Sequence, residues 1–236
     1  MNVQPSLWVV LPVYNEAATI RGVIEEWVLA LRKTDATFVI TAINDGSKDD
    51  TAAILDALSY PELRVWHRKN VGHGRSCRFG YETAVVNGAE WVLQIDSDGQ
   101  CDPVFIAQFW GARFSRTVML GRRVKRDDGI PRWLVSRVVS LVVFLHTGFW
   151  IRDANVPYRL LRADRLKWAL PRLPPEAFFT NILLSYLLAG EIKWIPIRFR
   201  QRAGGRSAIK LKAMMGFAFR LTGELHALKK RHEKAI

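Results

Sequence analysis

The first 121 residues alternate between short apolar runs and segments with helical periodicity. Five runs have the length of buried strands, and they lie at residues 7–11, 38–43, 63–66, 91–95 and 118–120. Helix signals, such as apolar residues three and four positions apart or a capping side chain, occur in the gaps. A repeated β-α-β order implies right-handed crossovers and a mostly parallel sheet flanked by helices. The sequence therefore predicts an α/β fold.

The pattern of the chain changes after Gly121. An apolar helix is predicted over 133–151, and its longest apolar stretch, 138–151, is shorter than the roughly 20 residues that a bilayer-spanning helix needs. We therefore expect a buried or interfacial helix. Two further helices at 164–171 and 176–189, a strand at 191–199 and a basic amphipathic helix from 207 complete the prediction.

The charge of the chain favours an anionic partner. Its 236 residues carry a formal net charge of +13, which suits a phosphorylated substrate, a nucleic acid or a membrane surface. Nucleic acid is disfavoured, because the sequence has no zinc spacing, recognition-helix signature or RNA-binding aromatic motif. A basic amphipathic helix such as that after Ser207 either lies in a membrane interface or packs on its own domain with a solvated basic face. Cys77 and Cys101 make no disulfide framework, and no leader follows Met1, so we predict a cytoplasmic protein.

The apolar run at 91–95 ends in a group of oxygen ligands, which are Asp96, Asp98 and Gln100. Carboxylate and amide oxygens suit Mg²⁺ or Mn²⁺ rather than zinc. An Asp-Ser-Asp-Gly segment is also a favourable turn on backbone grounds alone, so the motif by itself leaves both interpretations open. A hard divalent ion held by one or two carboxylates usually also binds a phosphate, which points to a phosphorylated or nucleotide-activated substrate.

Two other loops also follow predicted strands, at residues 12–16 and 44–47. The carboxyl ends of adjacent parallel strands open into one crevice, so we expect these loops to meet the 96–98 segment there. Their acidic groups suit hydrogen bonding to ribose hydroxyls and a base, beside a metal. A sugar nucleotidyltransferase, also α/β, needs a glycine-rich basic loop after the first strand, and residues 12–15 are not one.

The three loops together resemble those of the family 2 inverting glycosyltransferases, which have the GT-A fold. The family pattern P-x-Y-N-E is intact at 12–16, and D-x-D is intact at 96–98. The pattern D-D-G-S-x-D-x-T is matched at 44–51, with Asn44 in place of the first Asp. The pattern N-x-G is matched at 70–72. The chain is further similar to polyprenyl-phosphate glycosyltransferases of the dolichyl-phosphate mannose synthase type.

Motifs in the second half carry this narrower resemblance more loosely. Residues 121–123 resemble the family's G-S-R motif, and residues 202–207 resemble R-x-x-G-x-S-K. Residues 152–159 resemble D-x-x-x-G-F-R, with Asp153 and Arg159 retained and Val156-Pro157 in place of Gly. Ala208 stands where the family has Lys, and Lys210 or Arg206 is the candidate to supply that charge. Asn181 is expected to be an ordinary surface residue, and His73 a structural one.

The resemblance implies roles for the residues in these motifs. The predicted donor-binding residues are Pro12, Tyr14, Glu16, Asp45, Asp96 and Ser97. The predicted metal ligands are Asp96, Asp98 and Gln100, holding Mg²⁺ or Mn²⁺ against the donor diphosphate. The predicted catalytic residues are Asp98, Asp153, Arg123, Arg137 and Arg202. The three arginines would bring an acceptor phosphate to the donor, because the planar guanidinium donates bidentate hydrogen bonds.

The predicted function is metal-dependent, inverting transfer of a hexose from a nucleotide-sugar of the GDP-mannose or UDP-glucose type to a polyprenyl phosphate. We expect a GT-A domain over 1–206, with a nucleotide-sugar half at 1–121 and an acceptor half at 122–206, followed by the helix 207–236. The expected location is the cytosolic face of an anionic membrane, with a membrane protein as a further partner. One alternative is a saccharide or other hydroxyl acceptor with Asp153 as the base. Another is a basic binding module for membranes or nucleic acid without catalysis.

Overall fold

The computed structural model describes residues 4–124, 140–141, 143–146, 148, 150–151, 153–200 and 211–233. Seven strands form one sheet. They are β1 (Leu7–Val13), β2 (Phe38–Asn44), β3 (Leu63–His67), β4 (Trp91–Gln94), β5 (Val118–Arg123), β6 (Arg159–Arg162) and β7 (Ile192–Ile197). Their order across the sheet is β3-β2-β1-β4-β6-β5-β7. Every neighbouring pair is parallel except those made by β6, which runs antiparallel to β4 and β5. The predicted mostly parallel α/β fold is confirmed.

Helices cover both faces of this sheet. They are α1 (Ile20–Leu31), α2 (Thr51–Asp56), α3 (His73–Val86), α4 (Ile106–Ala112), α5 (Ala163–Ala169), α6 (Thr180–Leu187) and α7 (Leu211–Glu233). Three short 3₁₀ segments lie at Pro103–Phe105, Leu170–Arg172 and Ala189–Glu191. The first four helices connect the parallel strands, as the alternating pattern predicts.

The core lies in two layers, one on each face of the sheet, and β1 contributes to both. Leu7, Val9 and Leu11 face α1, α2 and α4, whereas Trp8 and Val10 face α3, α5, α6 and α7. Successive side chains of a strand point to opposite faces, so a strand buried on both faces is apolar throughout. This explains why the runs are continuous rather than alternating.

Helix α6 begins later than predicted, at Thr180 instead of 176. The Glu224 carboxylate of α7 accepts hydrogen bonds from the backbone N–H groups of Phe178, at 2.9 and 3.1 Å, and of Phe179, at 3.0 Å. A carboxylate 45 residues further along the chain thus satisfies two donors just before the helix begins.

The C-terminal helix α7 packs on its own domain through Leu221, Leu225 and Leu228, all of which are buried. For this part of the helix, the structure bears out the alternative of a packed helix with a solvated basic face.

The apolar segment 133–151 is described only in part. Residues 140–141 and 143–146 are helical. Four large apolar side chains in this segment are exposed, namely Leu141, Phe144, Leu145 and Trp150. Within the ranges that the structure describes, no helix is both long and apolar enough to cross a membrane.

Candidate functional site

A pocket of about 230 Å³ opens where the chain leaves β1, β2 and β4. Its lining residues are Pro12, Val13, Tyr14, Glu16, Asp45, Asn70, Gly72, His73, Asp96, Ser97 and Asp98. Seven of the residues predicted from the sequence are therefore brought together, because parallel strands deliver their carboxyl ends to one edge of the sheet.

Hydrogen bonds join the first loop to the second. Asn15 donates its backbone N–H to Ser47 Oγ (2.9 Å) and accepts from the Lys48 N–H at Oδ1 (2.8 Å). The Glu16 N–H donates to Thr51 Oγ1 (2.9 Å). Asn15 has φ of 54°, a backbone conformation that asparagine tolerates better than most residues. These contacts fix the backbone that presents Tyr14, which is 42% exposed at the pocket.

Asp45 organises the start of α3. Its two carboxylate oxygens accept the N–H groups of Val71 and Gly72, both at 2.9 Å. Gly72 has φ of +93°, in the region that favours glycine, and a Cβ there would lie 3.1 Å from the Phe178 ring. The predicted donor-site residue Asp45 thus also holds the N-x-G segment at 70–72 in place.

Asn44, which replaces the first Asp of the family pattern, has hydrogen-bond partners in the structure. Asn44 is buried, its Oδ1 accepts from the Ser47 N–H (3.0 Å), and its Nδ2 lies 3.0 Å from His67 Nδ1. The side chain therefore closes the turn that follows β2.

The 96–98 segment is both a turn and a part of the pocket. Asp98 Oδ1 accepts from the Gln100 N–H (3.1 Å), and Gly99 has φ of +75°. Asp96 Oδ1 accepts from Gln94 Nε2 (3.0 Å). The two interpretations of the motif are compatible, since the turn places both carboxylates at the pocket.

His73, the first residue of α3, is a pocket residue that sequence reasoning assigned a structural role. Its Nε2 lies 3.7 Å from Asp96 Oδ1 and 3.4 Å from Cys77 Sγ. Cys77 first and then Asp96 raise the pKa of His73 to about 10, against the opposing effect of burial. A protonated His73 would place a positive charge beside the Asp96 carboxylate. The sequence feature that could have identified His73 as a pocket residue is its position at the start of a helix, directly after the N-x-G motif.

Three predicted site residues lie outside the lining of this pocket. Gln100 donates its side-chain amide to the Arg200 carbonyl (3.1 Å). Arg123 pairs with Asp153 (Nε to Oδ2, 3.3 Å) and stacks on the Phe199 ring. The predicted arginines 137 and 202, and position 208, lie outside the described residues.

A second pocket, of about 300 Å³, shares His73 and Asp96 with the first. Its other lining residues are Gly74, Asn155, Phe178, Phe179, Thr180, Asn181 and Phe217. The expectation that Asn181 is an ordinary surface residue is wrong, because it is 2% exposed and its amide bonds to buried Tyr81 and Gln94. The Phe179 and Phe217 rings meet edge to face, with centroids 4.4 Å apart.

This fold and pocket define a known class of enzyme. Residues 8–178 match the family model described as glycosyl transferase family 2, and the chain belongs to that family. Two relatives are similar over 90% of this chain. Undecaprenyl-phosphate 4-deoxy-4-formamido-L-arabinose transferase of Pectobacterium atrosepticum is 30% identical over 218 residues. Dolichyl-phosphate beta-glucosyltransferase ALG5C of Trichomonas vaginalis is 34% identical over 239 residues. The chain spans 65% of the length of the first relative and 68% of the second.

Solved structures show the same GT-A fold. Glucosyl-3-phosphoglycerate synthase from Mycobacterium tuberculosis, in complex with Mn²⁺, UDP and glucosyl-3-phosphoglycerate, superposes with a TM-score of 0.66 at 19% identity, covering 96% of this chain and 80% of that one. TarS from S. aureus, in complex with UDP-GlcNAc, gives 0.61 at 20% identity, covering 93% and 66%.

Proposed function

We propose that this protein is a metal-dependent, inverting glycosyltransferase that moves a hexose from a nucleotide-sugar to a polyprenyl phosphate. The observation that carries the proposal is the pair of pockets that meet at Asp96 and His73. One pocket has loops and carboxylates that suit a nucleotide, and the other has three phenylalanines among its nine lining residues. The relatives named for polyprenyl-phosphate acceptors support the acceptor class.

The first pocket suits the nucleotide. Tyr14 is exposed at its edge and offers a flat face to a base, while the carboxylates of Glu16 and Asp45 suit ribose hydroxyls and base N–H groups. The donor is of the GDP-mannose or UDP-glucose type.

The donor set fits Mg²⁺ or Mn²⁺ when the nucleotide is bound. Asp96 and Asp98 present carboxylates at one pocket, which is the hard oxygen chemistry that these ions prefer. Among the described residues, no group of three or more His, Cys, Asp or Glu side chains is arranged to hold a metal. The ion would therefore depend on the donor diphosphate for further oxygens. When bound, it would act as a Lewis acid that stabilises charge on the leaving diphosphate.

The second pocket suits a phosphate acceptor with an apolar chain. Its lining contains two titratable side chains, His73 and Asp96, alongside Phe178, Phe179 and Phe217. A phosphate monoester is already ionised at pH 7 and needs no general base. The phenylalanines would contact the first isoprenoid unit, and His73 would place a positive charge beside the phosphate.

The reaction then needs no proton transfer. An acceptor phosphate oxygen attacks the anomeric carbon from the face opposite the diphosphate, and the new carbon–oxygen bond forms as the bond to the diphosphate breaks. The electron pair leaves with the nucleoside diphosphate, so the anomeric configuration inverts. Arg123, Arg137 and Arg202 are the proposed arginines for the acceptor phosphate.

The pairing of Asp153 supports a phosphate acceptor over a hydroxyl. A general base must reach the proton that it removes. Asp153 is 8% exposed, and its carboxylate faces the guanidinium of Arg123, the arginine proposed for the acceptor phosphate.

We also propose contact with the cytosolic face of an anionic membrane. The exposed apolar side chains Leu141, Phe144, Leu145 and Trp150 supply apolar surface on a strongly basic chain.

The proposal is tested by supplying the purified protein with Mn²⁺ and each of several nucleotide-sugars, together with a polyprenyl phosphate, the matching free polyprenol or a soluble sugar. Of the three acceptors, we expect only the polyprenyl phosphate to yield a lipid-linked sugar. We expect that product to be lost when EDTA replaces Mn²⁺. Transfer to the polyprenol or the soluble sugar, without transfer to the phosphate, would support the hydroxyl-acceptor alternative instead.

Phe217 provides a direct test of the second pocket. Phe217→Ala is expected to raise the KM for a dispersed short-chain polyprenyl phosphate about tenfold, because losing roughly 1.4 kcal/mol of apolar contact lowers affinity tenfold. The KM for the nucleotide-sugar should stay unchanged. Phe219→Ala is the matched control, since Phe219 lies on the same helix but is 85% exposed. Equal effects of the two substitutions on the acceptor KM would contradict this assignment.

A further inference from the structure

Three buried side chains form a hydrogen-bonded chain that leads from the protein core to Asp96. The Tyr81 hydroxyl donates to Asn181 Oδ1 (2.8 Å), Asn181 Nδ2 donates to Gln94 Oε1 (3.1 Å), and Gln94 Nε2 donates to Asp96 Oδ1 (3.0 Å). Tyr81 and Gln94 are 0% exposed and Asn181 is 2% exposed. The three come from α3, α6 and β4, so the chain ties one pocket carboxylate to three elements.

The charge on Asp96 determines which group donates and which accepts in each of these three hydrogen bonds. An ionised carboxylate only accepts, so Gln94 must turn its amide N–H₂ toward Asp96 and its oxygen toward Asn181. Asn181 must then offer its own N–H₂ to Gln94, which leaves its oxygen for the Tyr81 hydroxyl. Burial raises the pKa of Tyr81 well above its ordinary value, so the hydroxyl keeps the proton that it donates. Each amide therefore has one favourable orientation.

We propose that Gln94, Asn181 and Tyr81 are positioning residues that hold the Asp96 carboxylate in the orientation that binds the metal–nucleotide complex. The inference rests on the proposed function, because it assigns these residues to the same donor site. Gln94 and Tyr81 line neither pocket, so their effect passes through Asp96. The hydrogen-bonded chain reaches Asp96 through a single contact, from Gln94 Nε2 to Asp96 Oδ1, and the other two bonds fix the orientation of the Gln94 amide.

A purely structural role is the competing explanation, because buried polar groups need partners wherever they lie. The two explanations differ in one measurable quantity. A structural role predicts lower stability with unchanged metal affinity, whereas a positioning role predicts weaker metal binding in protein that remains folded. Partners that orient metal ligands typically change metal affinity 10–100-fold when they are replaced.

The test measures Mn²⁺ binding by electron paramagnetic resonance in the presence of UDP or GDP, with urea unfolding in parallel. Gln94→Met and Asn181→Leu keep the side-chain size but remove the donors, and each is expected to raise the Kd for Mn²⁺ at least about tenfold. Tyr81→Phe keeps the buried ring, and it should raise the Kd by a smaller factor of about three.

Ser185→Ala is the matched control. Ser185 is buried in α6 one turn after Asn181, and its hydroxyl lies 2.8 Å from the Ala154 carbonyl oxygen and 2.9 Å from the backbone carbonyl oxygen of Asn181, so it contacts none of the side-chain groups that lead to Asp96. Its substitution should lower stability and leave the Kd for Mn²⁺ unchanged. If Gln94→Met, Asn181→Leu and Tyr81→Phe behave as this control does, the positioning role is refuted while the donor site stands. If the unchanged protein shows no nucleotide-dependent Mn²⁺ binding, the donor site and the positioning role are both refuted.

Discussion

Asp98→Asn is expected to lower the rate of sugar transfer about 100-fold or more. Asp98 lines the nucleotide pocket two residues after Asp96, and its Oδ1 is held by the Gln100 N–H. If Asp98 binds the metal as proposed, replacing its carboxylate by a neutral amide weakens the metal's stabilisation of charge on the leaving diphosphate. Such stabilisation amounts to several kcal/mol, and each 1.36 kcal/mol of barrier changes the rate about tenfold.

The measurement is kcat at saturating donor, combined with a titration of Mn²⁺. The asparagine occupies the same volume and still accepts the Gln100 N–H, so the unfolding temperature should change little. Asp164→Asn is the matched control, because Asp164 lies on α5, pairs with Arg162 at the end of β6 and lines neither of the two pockets. Full activity of Asp98→Asn, with an unchanged response to Mn²⁺, would contradict the assignment of Asp98 to the metal.

Gly74→Ala is expected to have the largest effect on the fold around the two pockets. A Cβ at Gly74 would lie 1.8 Å from the Phe178 carbonyl oxygen and 2.8 Å from its carbonyl carbon. These are backbone atoms that cannot turn aside as a flexible side chain could, and Glu224 binds the adjacent N–H groups of Phe178 and Phe179. The first turn of α3 and the residues before α6 would have to separate. We expect a loss of about 3 kcal/mol in the free energy of unfolding, at the upper end of the cost of overpacking.

Thermal and urea unfolding measure this loss, which corresponds to a fall in Tm of roughly 6–12 °C for a chain of this size. Gly111→Ala is the matched control. Gly111 lies in α4, where an added Cβ meets nothing within 4 Å, and alanine there should stabilise the protein by about 0.5–1 kcal/mol. An unfolding temperature of Gly74→Ala equal to that of the unchanged protein would show that the contact at Phe178 is not closely packed.

The parallel part of the fold could be predicted because local signals determine it. The strands β1, β2 and β4 are continuous apolar runs buried on both faces, and each ends in a polar loop at the same edge of the sheet. Strand order and connection handedness follow from general rules, so the meeting of Pro12, Asp45 and Asp96 at one pocket could be deduced.

The second pocket could not be predicted in this way, since distant contacts create it. Phe178 and Phe179 are held by Glu224, and Phe217 comes from the C-terminal helix. The burial of Asn181 depends on partners 87 and 100 residues away, Gln94 and Tyr81. A short sequence motif does not indicate which distant residues its side chains will contact. The boundary at 121 between a donor half and an acceptor half stays a prediction.

We propose above that the pair of pockets transfers a sugar to a phosphate oxygen with inversion. The most direct measurement is the chemical identity of the product formed from an α-linked nucleotide-sugar and a polyprenyl phosphate with Mn²⁺. Mass spectrometry and ³¹P and ¹H NMR of that product report both the new bond and the anomeric configuration. We expect a phosphodiester in which the sugar is β-linked. A product that is α-linked, that carries the sugar on a hydroxyl group, or that is only free sugar would contradict it.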